Sequence, residues 1–363
     1  MSTRAIAFGI CAMLAVAAAP LALSASPGVD HWTATANMSS ARSSVTATPL
    51  ADERVLVVGG VLERTSELYD PNNGTWIPGG TLNETRWLHV ALRLRDGRVL
   101  VAGGGAYTAS AELYDPATNR WTPTGSMSVD RHSFTATLLR DGRVLVVGGH
   151  SGTGRGVQAG AELYDAATGR WTSTGSLRTP RRDHTATLLG DGTVLVAGGF
   201  NADEGWLQSA ELYDPLRGRW RRVTPMTAPR ERASATLLGN GRVLVAGGGN
   251  PFGTAGLSAE LYDPSSGRWT PTGSMTDYWG PEAVLLIDGR VLRAGSGEAG
   301  GVYSPATGTW RATGLRIYSL VGGAALSLLP NGQVLSIAGK RLANCSPKGC
   351  SSEPVASVER YTP

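Results

Sequence analysis

Hydrophobic and polar positions along the chain follow one pattern that recurs roughly every 40–50 residues. Most copies contain an apolar run that ends in two glycines, then a Tyr, then a Trp seven residues after the Tyr. The Tyr/Trp pairs that keep this spacing are Tyr69/Trp76, Tyr114/Trp121, Tyr164/Trp171, Tyr213/Trp220, Tyr262/Trp269 and Tyr303/Trp310. A repeat of this length is typical of propellers and solenoids, in which each unit buries its apolar faces only against its neighbours.

The two ends of the sequence complement each other. A seventh Tyr, Tyr361, has no Trp after it, because Pro363 is the last residue. An unpaired Trp, Trp32, lies near the other end. We therefore expect seven units in a ring, in which the N-terminal segment supplies the last strand of the seventh unit.

Each unit predicts four antiparallel strands. In the third unit, residues 133–139 and 143–147 flank Asp141-Gly142, a dipeptide that favours a two-residue hairpin turn. Residues 161–164 and 170–172 predict the third and fourth strands. Four-stranded units of this kind form the blades of a propeller. The sequence therefore predicts an all-β fold, a seven-bladed β-propeller of four-stranded antiparallel blades that is closed by the N-terminal strand.

The double glycine, the Tyr and the Trp at these relative positions resemble the motif of the Kelch-repeat family, over about residues 31–363. The resemblance implies a propeller similar to that of galactose oxidase. It also implies a function, since propellers of this family most often bind proteins or glycans, while a minority carry enzyme sites. Fold alone does not settle which of these applies.

The copper site of galactose oxidase is not expected here. The resemblance implies that such a site needs two Tyr and two His ligands and a Cys cross-linked to a Tyr, and this sequence has no Tyr-His dipeptide. Its His residues are His31, His89, His132, His150 and His184. His89 and His184 precede equivalent inner strands, where packed, hydrogen-bonded imidazoles are the favoured interpretation. The sequence predicts no metal site and no cofactor.

The composition is that of a soluble all-β protein with one large domain. The 49 glycines suit turn-rich β-structure, and 41% hydrophobic residues suffice for a packed core. The formal net charge is only +4, and no run of Lys or Arg is longer than two residues. Nucleic acid is therefore not an expected partner.

Residues 1–25 differ from the rest of the chain. Arg4 precedes an apolar stretch, and small residues follow it at Ser24-Ala25-Ser26, which is the layout of a secretory signal peptide. A retained membrane anchor is the alternative. We expect cleavage, which leaves residues 26–363 as a secreted or periplasmic propeller with no membrane span. The mature protein is expected to be a monomer.

A set of arginines recurs just ahead of the first strand of five blades. Its members are Arg42, Arg86, Arg131, Arg181 and Arg230, and the same blades carry Glu67, Glu112, Glu162, Glu211 and Glu260 two residues before the Tyr. The sixth blade lacks both, with Tyr278 and Gly301 in their places, so we expect each Arg to pair with a Glu. A ring that grips an anionic ligand is the alternative. The seventh blade weakens the pairing hypothesis, because Val321 stands where its Glu359 would need an Arg.

The loops that enter each blade and those that follow the glycine pairs share one face of the predicted propeller and vary in length. Because variable loops on a rigid scaffold carry function, this face is the expected working surface. Aromatic rings beside charges suit sugar stacking or a protein contact. The candidate ligand-binding residues are Trp87, His132, Arg182, Asp183, Trp206, Glu231, Tyr278 and Trp279.

The sequence thus predicts a secreted binding module for a protein or an extracellular glycan. The alternative is a carbohydrate-active hydrolase or lyase, with Asp183, Asp203 and Glu231 as acids at the channel mouth. Two carboxyl groups roughly 5–10 Å apart beside an aromatic platform would favour that alternative. A purely structural envelope protein is a third possibility.

Export would place Cys345 and Cys350 in an oxidising compartment, where four intervening residues allow a short disulfide-closed loop. We predict that these thiols are oxidised in exported protein and that the bond adds only about 2 kcal/mol, because the loop is short. Mass spectrometry after alkylation without reductant tests this. Two alkylated thiols would contradict it.

Overall fold

The computed structural model describes residues 30–105, 107–249, 254–275, 282–294, 296–321, 323–346 and 349–363. Four of the sequence predictions fall elsewhere. The signal segment 1–25 and the candidates Tyr278 and Trp279 lie outside these residues, and so do the side chains of Cys345 and Cys350.

Seven four-stranded antiparallel sheets form seven blades, as the repeat predicts. The first strand of each blade contacts the first strands of both neighbouring blades, so the seven first strands close a ring around a central channel. Blade 1 consists of β2 (Thr46–Pro49), β3 (Val55–Val58), β4 (Thr65–Asp70) and β5 (Thr75–Thr81). Blade 2 consists of β6 (Val90–Arg93), β7 (Val99–Ala102), β8 (Ala111–Asp115) and β9 (Arg120–Thr124). Blade 3 consists of β10 (Thr135–Leu138), β11 (Val144–Val147), β14 (Ala161–Asp165) and β15 (Arg170–Thr174).

The other blades follow the same order. Blades 4 and 5 consist of β16 (Thr185–Leu188), β17 (Val194–Ala197), β20 (Ala210–Asp214) and β21 (Arg219–Val223), and of β22 (Ser234–Leu237), β23 (Val243–Ala246), β24 (Ala259–Asp263) and β25 (Arg268–Thr272). Blade 6 consists of β26 (Ala283–Leu285), β27 (Val291–Arg293), β28 (Ser296–Ser304) and β29 (Thr309–Val321). Blade 7 consists of β30 (Ala325–Leu328), β31 (Val334–Ile337), β34 (Val358–Thr362) and β1 (His31–Ala34).

Short hairpins rise from the loop face of blades 3, 4 and 7. They are β12 (His150–Ser151) with β13 (Gly156–Val157), β18 (Phe200–Asn201) with β19 (Gly205–Trp206), and β32 (Lys340–Ser346) with β33 (Gly349–Pro354). One 3₁₀ turn, Thr254–Leu257, lies in the corresponding loop of blade 5. Within the described ranges, no helix is both long enough and apolar enough to cross a membrane.

The N-terminal strand closes the ring, as predicted. β1 pairs with β34 in a register that sets Trp32 opposite Tyr361, and their ring centroids are 5.1 Å apart. The Trp32 Nε1–H donates to Thr313 Oγ1 at 3.0 Å, which ties this strand to blade 6. The seventh blade is therefore assembled from both ends of the chain.

The Tyr/Trp pair of each repeat joins neighbouring blades. Tyr164 and Trp171 lie opposite each other on β14 and β15, with ring centroids 4.9 Å apart. The Tyr164 hydroxyl bonds Thr124 Oγ1 at 2.8 Å, and the Trp171 Nε1–H donates to the Gly125 carbonyl at 2.7 Å, both in the preceding blade. Each pair therefore buries a large apolar area and also fixes the seam with the blade before it.

The hairpins differ from the predicted two-residue turns. Leu138 pairs with Val144, the Leu139 N–H donates to the Arg143 carbonyl at 2.8 Å, and the Gly142 N–H returns to the Leu139 carbonyl at 3.1 Å. Three residues therefore lie between Leu139 and Arg143. Gly142 at φ 91° occupies the left-handed position of a bulged hairpin, so the Gly is required but the loop is one residue longer.

Removal of residues 26–40 should expose the edge of β34 and leave the buried Tyr361 without its Trp partner. We expect the shortened protein to melt at a lower temperature and to self-associate, because an unpaired strand edge recruits other chains. Calorimetry and size-exclusion chromatography against residues 26–363 measure both effects. A monomeric truncation with an unchanged melting temperature would show that ring closure does not depend on β1.

Candidate functional site

The recurring arginines pair with the recurring glutamates inside their own blades, as predicted. The Nη2–Oε1 distances are 3.1 Å for Arg42/Glu67, 3.0 Å for Arg86/Glu112, 3.1 Å for Arg131/Glu162, 3.2 Å for Arg181/Glu211 and 2.9 Å for Arg230/Glu260. All ten side chains are buried. These arginines are therefore committed to the scaffold and do not face a ligand.

Each pair fastens three segments of its blade. Arg131 donates through Nη1 to the carbonyls of Gly148 at 2.9 Å and Gly160 at 2.8 Å. Glu162 accepts the Ser128 N–H on its second oxygen at 2.8 Å. The entry loop, the glycine pair and the start of the third strand are thereby held together. The residue after the Arg takes a fixed place on the loop face as a result.

Blades 6 and 7 depart from the sequence prediction. Glu359 does have an Arg partner, since Arg316 Nε lies 2.5 Å from Glu359 Oε1. Arg316 comes from the long outer strand β29 of blade 6, five residues before Val321, so the repeat register did not reveal it. In blade 6 a second-strand residue, Arg293, is fully buried and donates to Met275 Sδ at 3.1 Å.

Two residues after each Arg, the backbone turns left-handed and links the blades. Ser133, Asp183 and Arg232 have φ of 54°, 52° and 57°. The Asp183 N–H donates to the Ser133 carbonyl and the Arg232 N–H donates to the Asp183 carbonyl, both at 2.9 Å. We call the residues in this position the mouth ring, which comprises Ser44, Leu88, Ser133, Asp183, Arg232 and Gly323, all at positive φ. Left-handed backbone at non-glycine residues is strained, and these inter-blade hydrogen bonds offset that cost.

The residue between the Arg and the mouth ring pairs with the residue that follows the second glycine. His132 and His150 exchange backbone hydrogen bonds at 3.1 and 2.9 Å, and Arg182 and Phe200 do so at 3.1 and 3.0 Å. Blades 3 and 4 thus present two adjacent side chains at the mouth, whereas blades 2 and 5 have Gly105 and Gly249 in the second position. We define the mouth arc as the side chains at these positions over blades 2 to 5, together with Tyr107 and Trp206 from the loops that follow, so that it comprises Trp87, Tyr107, His132, His150, Arg182, Phe200, Trp206 and Glu231.

The first half of the mouth arc is aromatic. Trp87 is half-buried and lies flat on Gly105, where a Cβ would be only 1.9 Å from the indole. The ring centroids of His132 and His150 are 5.1 Å apart, and that of Tyr107 is 6.5 Å from His132. Tyr107 is 58% exposed, so this ring is open to a ligand.

The second half combines aromatic rings with charge. The Arg182 guanidinium lies 4.8 Å from the centroid of Phe200, which makes an edge contact with Trp206 at 5.7 Å. The Trp206 Nε1–H donates to Glu231 Oε2 at 3.0 Å. Arg182 Nη1 lies 3.1 Å from Glu231 Oε1. The aromatic rings and the charged groups form one connected surface.

Asp183 connects this surface to the mouth ring. Its Oδ2 also contacts Arg182 Nη1, and its Oδ1 lies 3.3 Å from Arg232 Nε. Asp183 and Glu231 therefore converge on one nitrogen of Arg182. The guanidinium separates two carboxylates that would otherwise repel each other.

Burial sets the protonation of several of these groups. Burial raises the pKa of Glu231, although the nearby Arg182 opposes the shift. Burial and the neighbouring His150 lower the pKa of His132. In the inner strands, burial and an adjacent Arg lower the pKa of His89 and His184 to about 3, so both imidazoles are neutral.

The structure brings together five of the eight candidates, His132, Arg182, Asp183, Trp206 and Glu231, and it places Trp87 on the same face over blade 2, against Gly105. Asp203 lies in the exposed turn of the β18–β19 hairpin, outside this cluster. His89 and His184 are packed and hydrogen-bonded as predicted, with Nε2 at 2.8 Å from Thr46 Oγ1 and 2.9 Å from Thr135 Oγ1. The sequence analysis missed Arg232. The signal available in the sequence was its position directly after the candidate Glu231.

Comparisons with known proteins recognise the repeat motif in two stretches of the chain. A model described as the Kelch motif matches residues 89–128 and 181–227. No curated protein matches the chain in sequence. A solved structure described as a novel fungal alcohol oxidase with catalytic diversity among the AA5 family, in complex with copper, is similar over 93% of this chain and 77% of its own, with a TM-score of 0.74 and 17% identity. This similarity concerns the fold alone.

The described residues do not fit a copper centre. No group of three or more His, Cys, Asp and Glu side chains among them is arranged to hold a metal ion.

Replacement of Arg131 by Met should destabilise the fold by about 3–5 kcal/mol, because it leaves Glu162 buried without its partner. The matched control is Arg143→Met, which breaks the exposed pair with Asp141 and should cost less than about 1 kcal/mol. Urea unfolding of both variants gives the comparison. Equal losses would contradict the structural role of the buried pair.

Proposed function

Because the chain is a seven-bladed propeller of Kelch motif repeats, we propose that it is an exported binding module whose mouth arc binds an extracellular glycan. The observation that carries the proposal is the mouth arc itself, where half-exposed rings adjoin a network of charged groups. Its backbone is fixed by the buried Arg/Glu pairs below, so a ligand meets a preformed surface. Preformed sites with few, well-placed polar groups are typical of small-ligand recognition.

The rings supply the apolar part of the site. A sugar has C–H faces as well as hydroxyl groups, and a flat ring such as Trp206 or Tyr107 can cover such a face. Trp206 is oriented by its hydrogen bond to Glu231 at 3.0 Å, and Tyr107 packs against Gly152 in the next blade. Neither ring therefore needs much reordering when a ligand arrives, which favours affinity.

The charges supply the polar part. Arg182, Arg232, Asp183 and Glu231 place donors and acceptors next to one another, and a sugar hydroxyl can donate and accept at once. Charged groups make the stronger hydrogen bonds with neutral partners. A protein partner with an aromatic anchor would use the same surface, and the binding measurement below separates the two.

Export rests on residues 1–25, whose basic start, apolar stretch and small residues are the layout of a signal peptide. An extracellular ligand requires that export, so the two parts of the proposal depend on each other.

One observation favours the hydrolase or lyase as a second candidate. Asp183 and Glu231 converge beside Phe200 and Trp206, and the pKa of Glu231 is raised by burial. A raised pKa suits a general acid. Both carboxylates contact Arg182, however, and this Arg opposes the rise in the pKa of Glu231. Binding without turnover is therefore the first candidate.

Trp206→Ala should weaken glycan binding by about 1–3 kcal/mol with little loss of stability, as removal of an aromatic contact does. The control is Leu216→Ala, which truncates a side chain that is 94% exposed in the fourth blade's β20–β21 turn, away from the mouth arc. A glycan array followed by calorimetry on the mature protein gives the affinities. Binding of a protein but no glycan, or release of reducing ends that Glu231→Gln abolishes, would overturn the proposal.

A further inference from the structure

A cavity of about 350 Å³ lies in the channel between blades 4, 5 and 6. It begins just inside the mouth ring, since Thr185 and Ser234 come two residues after Asp183 and Arg232 along the chain. Its wall consists mainly of alanines, and its polar members are Thr185, Ser234 and Glu282. The cavity therefore continues the proposed glycan site inward.

The two hydroxyl groups are arranged as acceptors. Thr185 Oγ1 donates to the Ala197 carbonyl and Ser234 Oγ donates to the Ala246 carbonyl, both at 3.3 Å. A carbonyl can only accept, so each hydroxyl hydrogen is already used. The lone pairs of both oxygens remain for donors from a ligand.

Among the described residues at the corresponding first-strand position of the seven blades, Glu282 is the single ionisable one. The other blades place Thr46, Val90, Thr135, Thr185, Ser234 and Ala325 there. The Ala294 N–H donates to the Glu282 carbonyl at 3.2 Å, which fixes this register. Glu282 Oε2 is shielded from solvent and has no hydrogen-bond partner among the described residues.

The positive charges near Glu282 do not restore an ordinary carboxyl pKa. Arg293 and Arg316 favour its charged form, but burial outweighs them and raises the pKa of Glu282 to about 7. Arg316 is already paired with Glu359. A buried carboxyl group with a raised pKa binds a cationic partner favourably, because the positive charge stabilises its ionised form.

We propose that this cavity binds an amine-bearing sugar residue, with its ammonium group at Glu282 and its hydroxyls donating to Ser234 and Thr185. The inference rests on the proposed glycan binding and names the class of sugar. Every polar side chain that lines the cavity accepts hydrogen bonds, and an amino sugar in its protonated form offers an ammonium group together with hydroxyl donors. An N-acetylated sugar lacks the cation and brings a carbonyl acceptor that Thr185, Ser234 and the ionised form of Glu282 cannot satisfy.

The test compares a trisaccharide of glucosamine with the trisaccharide of N-acetylglucosamine, by calorimetry at pH 7, where glucosamine amino groups are partly protonated and Glu282 is partly ionised. We expect the amino form to bind at least about tenfold more tightly, as a charge-assisted hydrogen bond provides. Glu282→Gln should abolish this preference while the binding that Trp206 supports persists. The control Glu53→Gln removes an exposed carboxylate on the opposite, hairpin face and should leave the preference unchanged.

A second measurement does not depend on glycan binding. Titration with n-butylammonium, which keeps its proton across this range, should give tighter binding at pH 8 than at pH 6 because Glu282 is ionised only above its pKa of about 7. Glu282→Gln should remove that dependence.

The outcomes separate the two proposals. Equal affinities for the two trisaccharides would overturn the amino-sugar inference and leave glycan binding standing. Absence of binding by both would overturn the amino-sugar inference, and it would overturn the glycan proposal as well only if no other glycan on the array binds. A preference that survives in Glu282→Gln would place the ammonium group elsewhere and overturn the assignment of this cavity.

Discussion

The buried Arg/Glu pair is the interaction on which the rest of this propeller depends. Removal of one partner from such a pair strands a charge in the interior, which is a large cost compared with the net stability of a domain. The pair also fixes backbone, because Arg131 holds the carbonyls of Gly148 and Gly160 while Glu162 holds the Ser128 N–H. Five blades repeat this arrangement, and blade 7 keeps the ion pair, between Arg316 and Glu359. The loop face is therefore positioned by charges that the ligand never touches.

Constant buried Arg/Glu pairs beneath variable surface residues explain how this face can acquire binding specificity. The residue after the buried Arg is held in the same place in blades 2 to 5, yet its identity changes from Trp87 to His132 to Arg182 to Glu231. Neighbouring side chains then interact across the seams, as Arg182 does with Glu231 at 3.1 Å. A new binding preference can thus arise by substitution at these positions, while the pairs underneath keep the blades intact.

The fold could be predicted from the sequence because repetition supplies the same evidence many times. The Tyr/Trp spacing, the turn glycines and the shared loss of Arg and Glu in the sixth blade each depend on local register. Arg316 could not be found in this way, because it reaches Glu359 from an outer strand that runs beyond the repeat. Asp183 and Arg232 adopt left-handed backbone without being glycines, and no local pattern indicates it. Glu282 takes a place that Thr, Ser, Val or Ala occupies in the other blades, and only the assembled channel shows that its Oε2 has no hydrogen-bond partner among the described residues.

Closure of the ring through β1 and β34 also has a consequence for the order of folding. Trp32 and Thr313 are 281 positions apart, and Trp32 meets Tyr361 across an even longer stretch of chain. Contacts between such distant residues form slowly, since the intervening chain must be ordered before they are gained. Blades 1 to 6 consist of consecutive segments and can fold as each is synthesised, whereas blade 7 requires both β1 and β34. The strand β1 must wait, already made, until β34 has been synthesised, so the time between its appearance and its pairing is set by the length of chain between these two strands.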